Sequence, residues 1–186
     1  MTKTALLLAA LLAAAGASAQ TVKLQTSEGD IRIQLNAEKA PKSVANFLQY
    51  VKAGHYNGVI FHRVIPTFMV QTGGYDAKLN QRPVKSPIPL EAGNGLSNVR
   101  GSLAMARTGD PNSATSQFFI NVVDNPYLDA DPMNPRSGYA VFGQVIEGME
   151  VVDKIRTAET TARGIHENLP VKPIFITKAL VEPAPK

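Results

Sequence analysis

The first regular pattern along the chain is an alternation of apolar and polar positions with a period of two. The residues at the alternating positions are Val22, Leu24 and Thr26, then Ile31, Ile33 and Leu35. Such alternation is typical of strands with one buried face, and Glu28-Gly29-Asp30 between the two runs is typical of a tight turn. The pattern predicts a β-hairpin over residues 22–35.

The spacing of apolar residues then changes to three and four, the period of a helix with one buried face. The residues with this spacing are Val44, Phe47, Leu48 and Val51. Pro41 precedes them, where a first helical residue tolerates proline, and Gly54 follows them, where a left-handed end favours glycine. The pattern predicts an amphipathic helix over residues 41–53. A second, shorter helix is predicted from the shared face of Met149, Val152 and Ile155.

Residues 59–71 are strand-like except for Pro66 near their middle. Proline lacks the N–H group that a central strand needs, so this run is predicted to fold back on itself around residues 65–67. Further strands are predicted over residues 102–106, 118–122, 140–146 and 174–181. Loops are predicted over residues 72–101 and 123–138, and a frayed end over residues 183–186.

The predicted strands and the two helices do not alternate as they do in parallel βαβ folds. Neither an internal repeat nor a linker divides the sequence after residue 19. We therefore expect residues 20–186 to form a single, mainly β domain. The economical arrangement is an antiparallel sheet that closes into a barrel, with the helices covering its open ends.

Residues 1–19 have the layout of a cleaved secretory signal. Lys3 gives a positive start, residues 5–15 are apolar, and Ala17-Ser18-Ala19 offers the small residues that a signal peptidase requires. The alternative is a membrane anchor, which needs about 20 apolar residues, and this stretch is shorter. We expect residues 1–19 to be removed and the rest to be exported.

The composition narrows the chemistry further. The chain has 186 residues and no cysteine, which excludes a thiol nucleophile, a thiolate metal site and a disulfide. Its formal net charge is +4, and its basic residues are scattered. We therefore expect no nucleic acid partner, and no membrane association once the signal is removed. Because there is no coiled-coil pattern or additional apolar stripe, we expect a monomer.

Hydrolysis and metal chemistry find little support in the sequence. There is no Gly-x-Ser-x-Gly motif of the kind that presents a nucleophilic serine. A zinc protease would place two histidines one helical turn apart with a glutamate between them, whereas His55 and His62 are seven residues apart. We interpret these histidines as ordinary polar residues and expect no metal site and no cofactor.

Residues 61–74 could bring polar and apolar side chains together. If the chain turns near Pro66, Arg63 lies roughly opposite Met69 and close to Gln71, so that a cation and an amide adjoin large apolar side chains. From spacing alone a plainer interpretation is favoured. In that interpretation the phenylalanine and methionine side chains belong to the core, and Arg63 is a surface charge on an edge strand.

Four motifs together strongly resemble the cyclophilin family. They are FHRVIPTFMVQTGG over residues 61–74, GSLAMA over 101–106, SQFFI over 116–120 and VFG over 141–143. The likeness covers nearly all of residues 22–181 and is nearest to the exported, periplasmic bacterial branch. It implies a peptidyl-prolyl cis-trans isomerase without a cofactor. It also implies a closed eight-stranded antiparallel β-barrel capped by two α-helices.

The resemblance also implies roles for particular residues. Arg63 matches the catalytic arginine, and Gln71 matches a glutamine that contacts the substrate backbone. The proline pocket is implied to consist of Phe68, Met69, Phe119 and Leu128. The segment that holds the substrate main chain is implied to be Ala106, Arg107 and Thr108. Gln117 matches a further groove residue, and His62 matches a structural histidine.

Three positions depart from the pattern of many eukaryotic cyclophilins. Tyr127 stands in the place of a groove tryptophan, and Tyr139 in the place of a pocket histidine. Arg107 stands where an asparagine is common, which affects only side-chain contacts if the role of this segment is main-chain pairing. We expect these changes to weaken cyclosporin binding more than isomerase activity.

The expected substrates are proline-containing polypeptides, namely unfolded or partly folded exported proteins. Rotating an X-Pro bond requires no bond to be made or broken, so a fixed cation beside an apolar pocket suits the reaction. A second hypothesis is a cyclophilin-shaped binding module or chaperone in which isomerisation is incidental. That hypothesis predicts a damaged site, whereas Arg63, Phe68, Met69, Gln71 and Phe119 are all present.

Overall fold

A computed structural model describes residues 20–183 of the chain. The predicted signal sequence lies outside the described residues, as does most of the predicted frayed end. Within residues 20–183, neither helix combines the length and the apolar character needed to cross a bilayer.

The described residues form eleven strands and two α-helices, together with a short 3-10 turn at Pro126–Leu128. The N-terminal elements are β1 (Thr21–Thr26), β2 (Gly29–Leu35), α1 (Pro41–Lys52), β3 (Val59–Ile60), β4 (Arg63–Ile65) and β5 (Met69–Thr72). The central elements are β6 (Ser102–Met105), β7 (Phe118–Asn121), β8 (Val141–Glu147) and α2 (Met149–Arg156). The C-terminal elements are β9 (Thr160–Arg163), β10 (His166–Pro170) and β11 (Phe175–Val181).

Nine strands form one antiparallel sheet in the order β3-β11-β1-β2-β8-β6-β7-β5-β4. The first strand of the chain therefore lies between β2 and the last strand, with Val22 opposite both Ile33 and Val181. The hairpin predicted over residues 22–35 is confirmed. So are the strands predicted near residues 102–106, 118–122, 140–146 and 174–181.

The main sheet is curled, with nine strands in an open order, so the predicted closed eight-stranded barrel is not confirmed. The edge strands β3 and β4 are consecutive parts of one extended stretch. Within it, Phe61 donates its backbone N–H to Ile174 at 2.9 Å, and His62 donates to Gln71 at 3.1 Å. The stretch thus changes its partner from β11 to β5, which is why its two halves lie at the two edges of the sheet.

The two helices predicted from apolar spacing are both present and pack on different strands. Helix α1 contacts β11 and β8, and helix α2 contacts β2, β4 and β5. The Phe47 ring of α1 lies 5.2 Å from both the Phe118 and Phe142 rings, which places α1 against the aromatic core. Helix α1 ends at Lys52, and Gly54 has the positive φ, +67°, expected of a left-handed helix end.

Sequence patterning did not predict the β9–β10 hairpin. Three of the four residues of β9 are exposed, so no buried face imposes an alternation of apolar and polar residues. The hairpin forms a separate two-stranded sheet, and β10 packs on β4, the strand that carries Arg63.

Candidate active site

The β4–β5 hairpin brings Arg63 and Gln71 together. Arg63 lies directly opposite Gln71, and Ile65 lies opposite Met69. The sequence-based expectation that Arg63 lies opposite Met69 is therefore wrong. The turn is centred on Thr67 rather than on Pro66, and moving the centre by one residue moves every cross-strand partner by two. The expected closeness of Arg63 and Gln71 is confirmed.

One row of residues runs across five neighbouring strands on the same face of the sheet. Arg63 on β4 is opposite Gln71 on β5, Gln71 is opposite Phe119 on β7, Phe119 is opposite Ala104 on β6, and Ala104 is opposite Val141 on β8. Directly opposed residues share a face of a sheet. The register therefore places a cation, an amide and an aromatic ring side by side.

Arg63 is exposed and is held near its neighbours by weak contacts. Its Nη1 donates to Gln71 Oε1 at 3.4 Å, and its Cζ lies 5.8 Å from the centre of the Phe68 ring. Gln71 Nε2 in turn donates to Gln117 Oε1 at 2.9 Å. No carboxylate oxygen of the described residues lies within 4 Å of the Arg63 guanidinium. The site therefore presents an unneutralised positive charge.

Gly73 and Gly74 make room for Gln117. A Cβ atom at Gly73 would lie 2.5 Å from the carbonyl oxygen of Ser116, and one at Gly74 would lie 2.7 Å from the side chain of Gln117. Gly73 also has a φ of +97°, which favours glycine. These glycines are thus required by a close approach beside the site, which the sequence alone did not reveal.

Beside Arg63 and Gln71 lies an apolar cluster that is separate from the main core. Its buried members are Met69, Ala104, Phe119, Leu128 and Val141. Its partly buried members are Ile65, Phe68, Leu96, Ala106 and Tyr139. The structure therefore brings together all four residues predicted to line a proline pocket, with Met69, Phe119 and Leu128 buried and Phe68 partly exposed.

Two tyrosines form the rim of this apolar cluster. Tyr127 is 70% exposed, and its ring is stacked 5.9 Å from the ring of Phe68. Tyr139 lies edge-to-face with Phe119 at 5.7 Å. Both tyrosines thus lie next to predicted pocket residues, as expected for groove positions.

The segment predicted to hold a substrate main chain follows β6. Ala106 donates its N–H to the carbonyl oxygen of Gln117 at 3.0 Å, and Thr108 donates its N–H to Ser113 Oγ at 2.9 Å. Between them, neither the backbone N–H nor the backbone C=O of Arg107 forms a hydrogen bond with any described residue. Arg107 therefore presents an unused donor and acceptor to an extended chain.

Sequence reasoning missed a buried amide network behind Phe68. Asn125 Nδ2 donates to the carbonyl oxygen of Phe68 at 2.9 Å and to Asn121 Oδ1 at 2.7 Å, while the Tyr127 hydroxyl donates to Asn125 Oδ1 at 3.0 Å. Asn121 Nδ2 donates to Ser102 Oγ at 2.9 Å. The only signal in the sequence is a polar residue ending an apolar strand, as Asn121 does.

His62 immediately precedes Arg63 in the chain and is only 4% exposed. Its pKa is lowered to about 4, mainly by burial and in part by the nearby charges of His166 and Arg63. The Nδ1 atom of His62 has no hydrogen-bond partner among the described residues. Although the His62 and His166 rings lie 5.9 Å apart, residues 20–183 hold no group of three or more potential metal ligands.

Comparison with known proteins decides the family. The model of the cyclophilin type peptidyl-prolyl cis-trans isomerase family matches residues 21–181. This chain belongs to the cyclophilin family. Like the cyclophilins it matches, it is a peptidyl-prolyl cis-trans isomerase, which acts on proline-containing peptides.

Two bacterial isomerases and one crystal structure illustrate the similarity. A peptidyl-prolyl cis-trans isomerase of Acinetobacter baylyi is 50% identical over 97% of this chain and 95% of its own length. Peptidyl-prolyl cis-trans isomerase B of Escherichia coli is 48% identical over 86% of this chain and 98% of its own length. The crystal structure of a Cryptosporidium parvum cyclophilin type isomerase covers 90% of this chain and 99% of its own, at 28% identity and a TM-score of 0.74.

Proposed function

We propose that this cyclophilin isomerises X-Pro bonds of exported polypeptides and that Arg63 stabilises the twisted amide. The observation that carries the proposal is the row of opposed residues from Arg63 through Gln71 to Phe119, which sets a cation beside an apolar pocket. Such an arrangement suits a reaction in which charge is redistributed without any bond being formed or broken.

The barrier to the reaction is the loss of amide resonance, about 18–20 kcal/mol. In the twisted transition state the lone pair of the proline nitrogen is no longer delocalised and can accept a hydrogen bond. A donor aimed at that nitrogen gains strength only in the transition state, and this difference between states is what accelerates a reaction. A guanidinium group suits the task because it stays protonated and offers planar donors.

The other groove residues hold the substrate while one side of the amide rotates. We assign the proline ring to the pocket formed by Phe68, Met69, Phe119 and Leu128, where its apolar surface leaves water. Gln71 and Gln117, which are hydrogen-bonded to each other, face the substrate backbone beside Arg63. The unused peptide groups of Arg107 hold the main chain further along the groove.

Substitution of Arg63 tests this mechanism. A charge-assisted hydrogen bond contributes about 1.5–3 kcal/mol, which corresponds to roughly 10- to 200-fold in rate. We expect Arg63→Ala to lower kcat/KM for a proline peptide at least tenfold without a change in the thermal unfolding midpoint. Lys178→Ala, at an exposed position of β11, is the matched control and should retain the parent rate. An Arg63→Ala protein that isomerised the peptide at the parent rate would refute the role of Arg63.

The alternative, a binding module in which isomerisation is incidental, makes a different prediction for the same variant. If the protein is a binding module, its function depends on the affinity for the peptide, and the rate of cis-trans exchange is incidental. The intact set of groove residues favours the enzyme. Measuring peptide affinity and cis-trans exchange together on Arg63→Ala separates the two, because only the enzyme mechanism predicts lost exchange with retained binding.

Export to the periplasm and assistance to folding there are supported by the signal pattern of residues 1–19. Expression of the full chain in a Gram-negative host tests this part of the proposal. We expect the protein in the periplasmic fraction, with its N-terminus near Gln20. Recovery of the uncut chain from the cytoplasm would contradict it. We further propose that the protein is a monomer. We also propose that it binds cyclosporin weakly, because Tyr127 and Tyr139 replace the groove tryptophan and the pocket histidine.

A further inference from the structure

Arg107 combines free backbone groups with a charged side chain, which no other residue of the predicted main-chain segment does. Its backbone N–H and C=O are unused, whereas the N–H groups of Ala106 and Thr108 are already bonded to Gln117 and Ser113. An extended polypeptide can therefore form a β-bridge with Arg107 itself. The residue of the substrate opposite Arg107 then has its side chain close to that of Arg107, because directly opposed residues share a face.

The guanidinium of Arg107 is held in place by neutral groups. Its Nε donates to the carbonyl oxygen of Gly138 at 2.9 Å, and its Nη1 donates to the carbonyl oxygen of Thr108 at 2.9 Å. Its Cζ also lies 4.8 Å from the centre of the Tyr139 ring. These contacts fix the position of the charge, yet none of them neutralises it.

The carboxylates of Asp110 and Asp129 accept hydrogen bonds from uncharged groups. Asp110 accepts a hydrogen bond from the backbone of Asn112, and Asp129 accepts hydrogen bonds from Asn98. No carboxylate oxygen of the described residues lies within 4 Å of the Arg107 guanidinium. With Arg63 at the other side of the pocket, the groove carries two positive charges.

We propose that Arg107 is a specificity-determining residue that makes this isomerase favour polypeptides with an acidic side chain close to the proline. The acidic residue is the one that pairs with Arg107 in the groove, so its carboxylate meets a pre-positioned guanidinium. The proposal rests on the proposed function, because it takes residues 106–108 as the segment that binds the substrate main chain. An opposite-charge pair across neighbouring strands should make kcat/KM about two- to fivefold higher for a peptide with an acidic residue at this position than for one with an uncharged residue.

Paired peptides that differ by one charge test the proposal. The first pair carries Glu or Gln directly before the proline, and the second pair carries Glu or Gln one residue further towards the N-terminus. The measurement is kcat/KM for cis-trans exchange of each peptide at low ionic strength. For at least one pair, we expect the parent enzyme to prefer Glu over Gln two- to fivefold, with the preference falling towards one in 1 M salt.

Three variants separate the charge of Arg107 from its shape. Arg107→Met removes the charge and should reduce the Glu/Gln ratio to about one, whatever happens to the absolute rates. Arg107→Lys keeps the charge without the planar group and should retain a preference. Lys178→Met removes a charge from β11, outside the groove, and should leave the ratio unchanged.

The outcomes also distinguish this inference from the proposed function. A parent Glu/Gln ratio of one for both pairs, or a preference that persists in Arg107→Met, would overturn the role of Arg107 while leaving the isomerase mechanism intact. Failure of Arg63→Ala to slow an uncharged Ala-Pro peptide would instead overturn the proposed mechanism. Because the Glu/Gln preference is a ratio measured within one protein, a partial loss of stability in an Arg107 variant does not obscure it.

Discussion

Phe118 and Phe119 are consecutive residues of β7 with opposite surroundings. The Phe118 ring faces the core, where it contacts the rings of Phe47 and Tyr56 at 5.2 and 5.4 Å. The Phe119 ring faces the other side of the sheet and contacts Tyr139 at the rim of the groove. The same contrast separates buried His62 from exposed Arg63. Each strand of this region thus stabilises the fold through one face and builds the site on the other.

The contrast indicates how stability and activity can be separated by substitution. Residues that alternate along a strand contribute to different faces, so neighbouring substitutions should affect different properties. The core face is closed and tightly packed, whereas the site face must stay open to admit a polypeptide. A cavity in the core remains empty, but a gap in the groove fills with water.

The largest expected effect concerns the two phenylalanines. Phe118→Ala should lower the free energy of unfolding by about 3–5 kcal/mol, because it leaves a closed cavity among aromatic rings. Phe119→Ala should cost less stability but lower kcat/KM roughly tenfold or more, because it removes a wall of the proposed proline pocket. Chemical denaturation and a proline-peptide assay on both variants measure the two quantities.

The control for this pair is the Phe→Leu substitution at each position, which retains most of the apolar volume. Phe118→Leu should lower the free energy of unfolding less than Phe118→Ala does, and Phe119→Leu should lower kcat/KM less than Phe119→Ala does. The comparison of the two faces would be broken if Phe119→Ala destabilised the fold as much as Phe118→Ala and left the activity of the folded enzyme unchanged.

The next effect concerns the pH dependence of stability at His62. Its pKa is about 4 in the folded chain and about 6.5 when unfolded, so below pH 6.5 the unfolded state binds the additional proton. The free energy of unfolding is therefore unaffected by His62 above pH 6.5. It falls as the pH decreases from 6.5 towards 4, by about 3 kcal/mol in total. His62→Gln should remove this dependence.

Denaturation of the parent and His62→Gln at several pH values between 4 and 7 measures the difference. Other groups that titrate in this range, such as carboxylates, affect both proteins equally and cancel. Parallel curves of stability against pH would show that His62 becomes protonated without cost, contrary to the expectation from its burial.

The smallest effect concerns Asn125, in the buried amide network behind Phe68. Asn125→Ala removes the donor to the Phe68 carbonyl oxygen and leaves Asn121 Oδ1 unpaired, so it should lower the free energy of unfolding by about 1–3 kcal/mol. Because Phe68 and Tyr127 both depend on this amide, KM for a proline peptide should rise as well. Asn134→Ala, in an exposed loop, should change stability by less than about 0.5 kcal/mol. An unchanged KM in Asn125→Ala would limit the network to a structural role.

The sequence predicted those parts of the fold in which one face is buried. The first hairpin and helix α1 follow directly from apolar spacing, since their buried residues recur with the periods of a strand and a helix. The β9–β10 hairpin escaped prediction because β9 is exposed along most of its length. The closed eight-stranded barrel is not confirmed, because no local pattern indicates that the main sheet has nine strands in an open order.

For the candidate site, the motifs located the residues but not their register. The pairing of Arg63 with Gln71 depends on where the turn is centred, and Pro66 alone indicated a centre one residue too early. The buried amides around Asn125 depend on contacts between distant segments, from Phe68 to Ser102, which have no periodic signature. Similarly, the unused backbone groups of Arg107 become apparent only when the partners of its neighbours are known.

The position of β1 between β2 and β11 has a consequence for how the molecule is made. Pairing Val22 with Val181 joins residues near opposite ends of the described residues, so β1 gains its second neighbour only when β11 has been made. Closing so long a loop is entropically costly and slow. A growing chain therefore cannot complete this sheet until β11 has been made, so the isomerase reaches its full fold only after almost all of residues 20–183 have been synthesised.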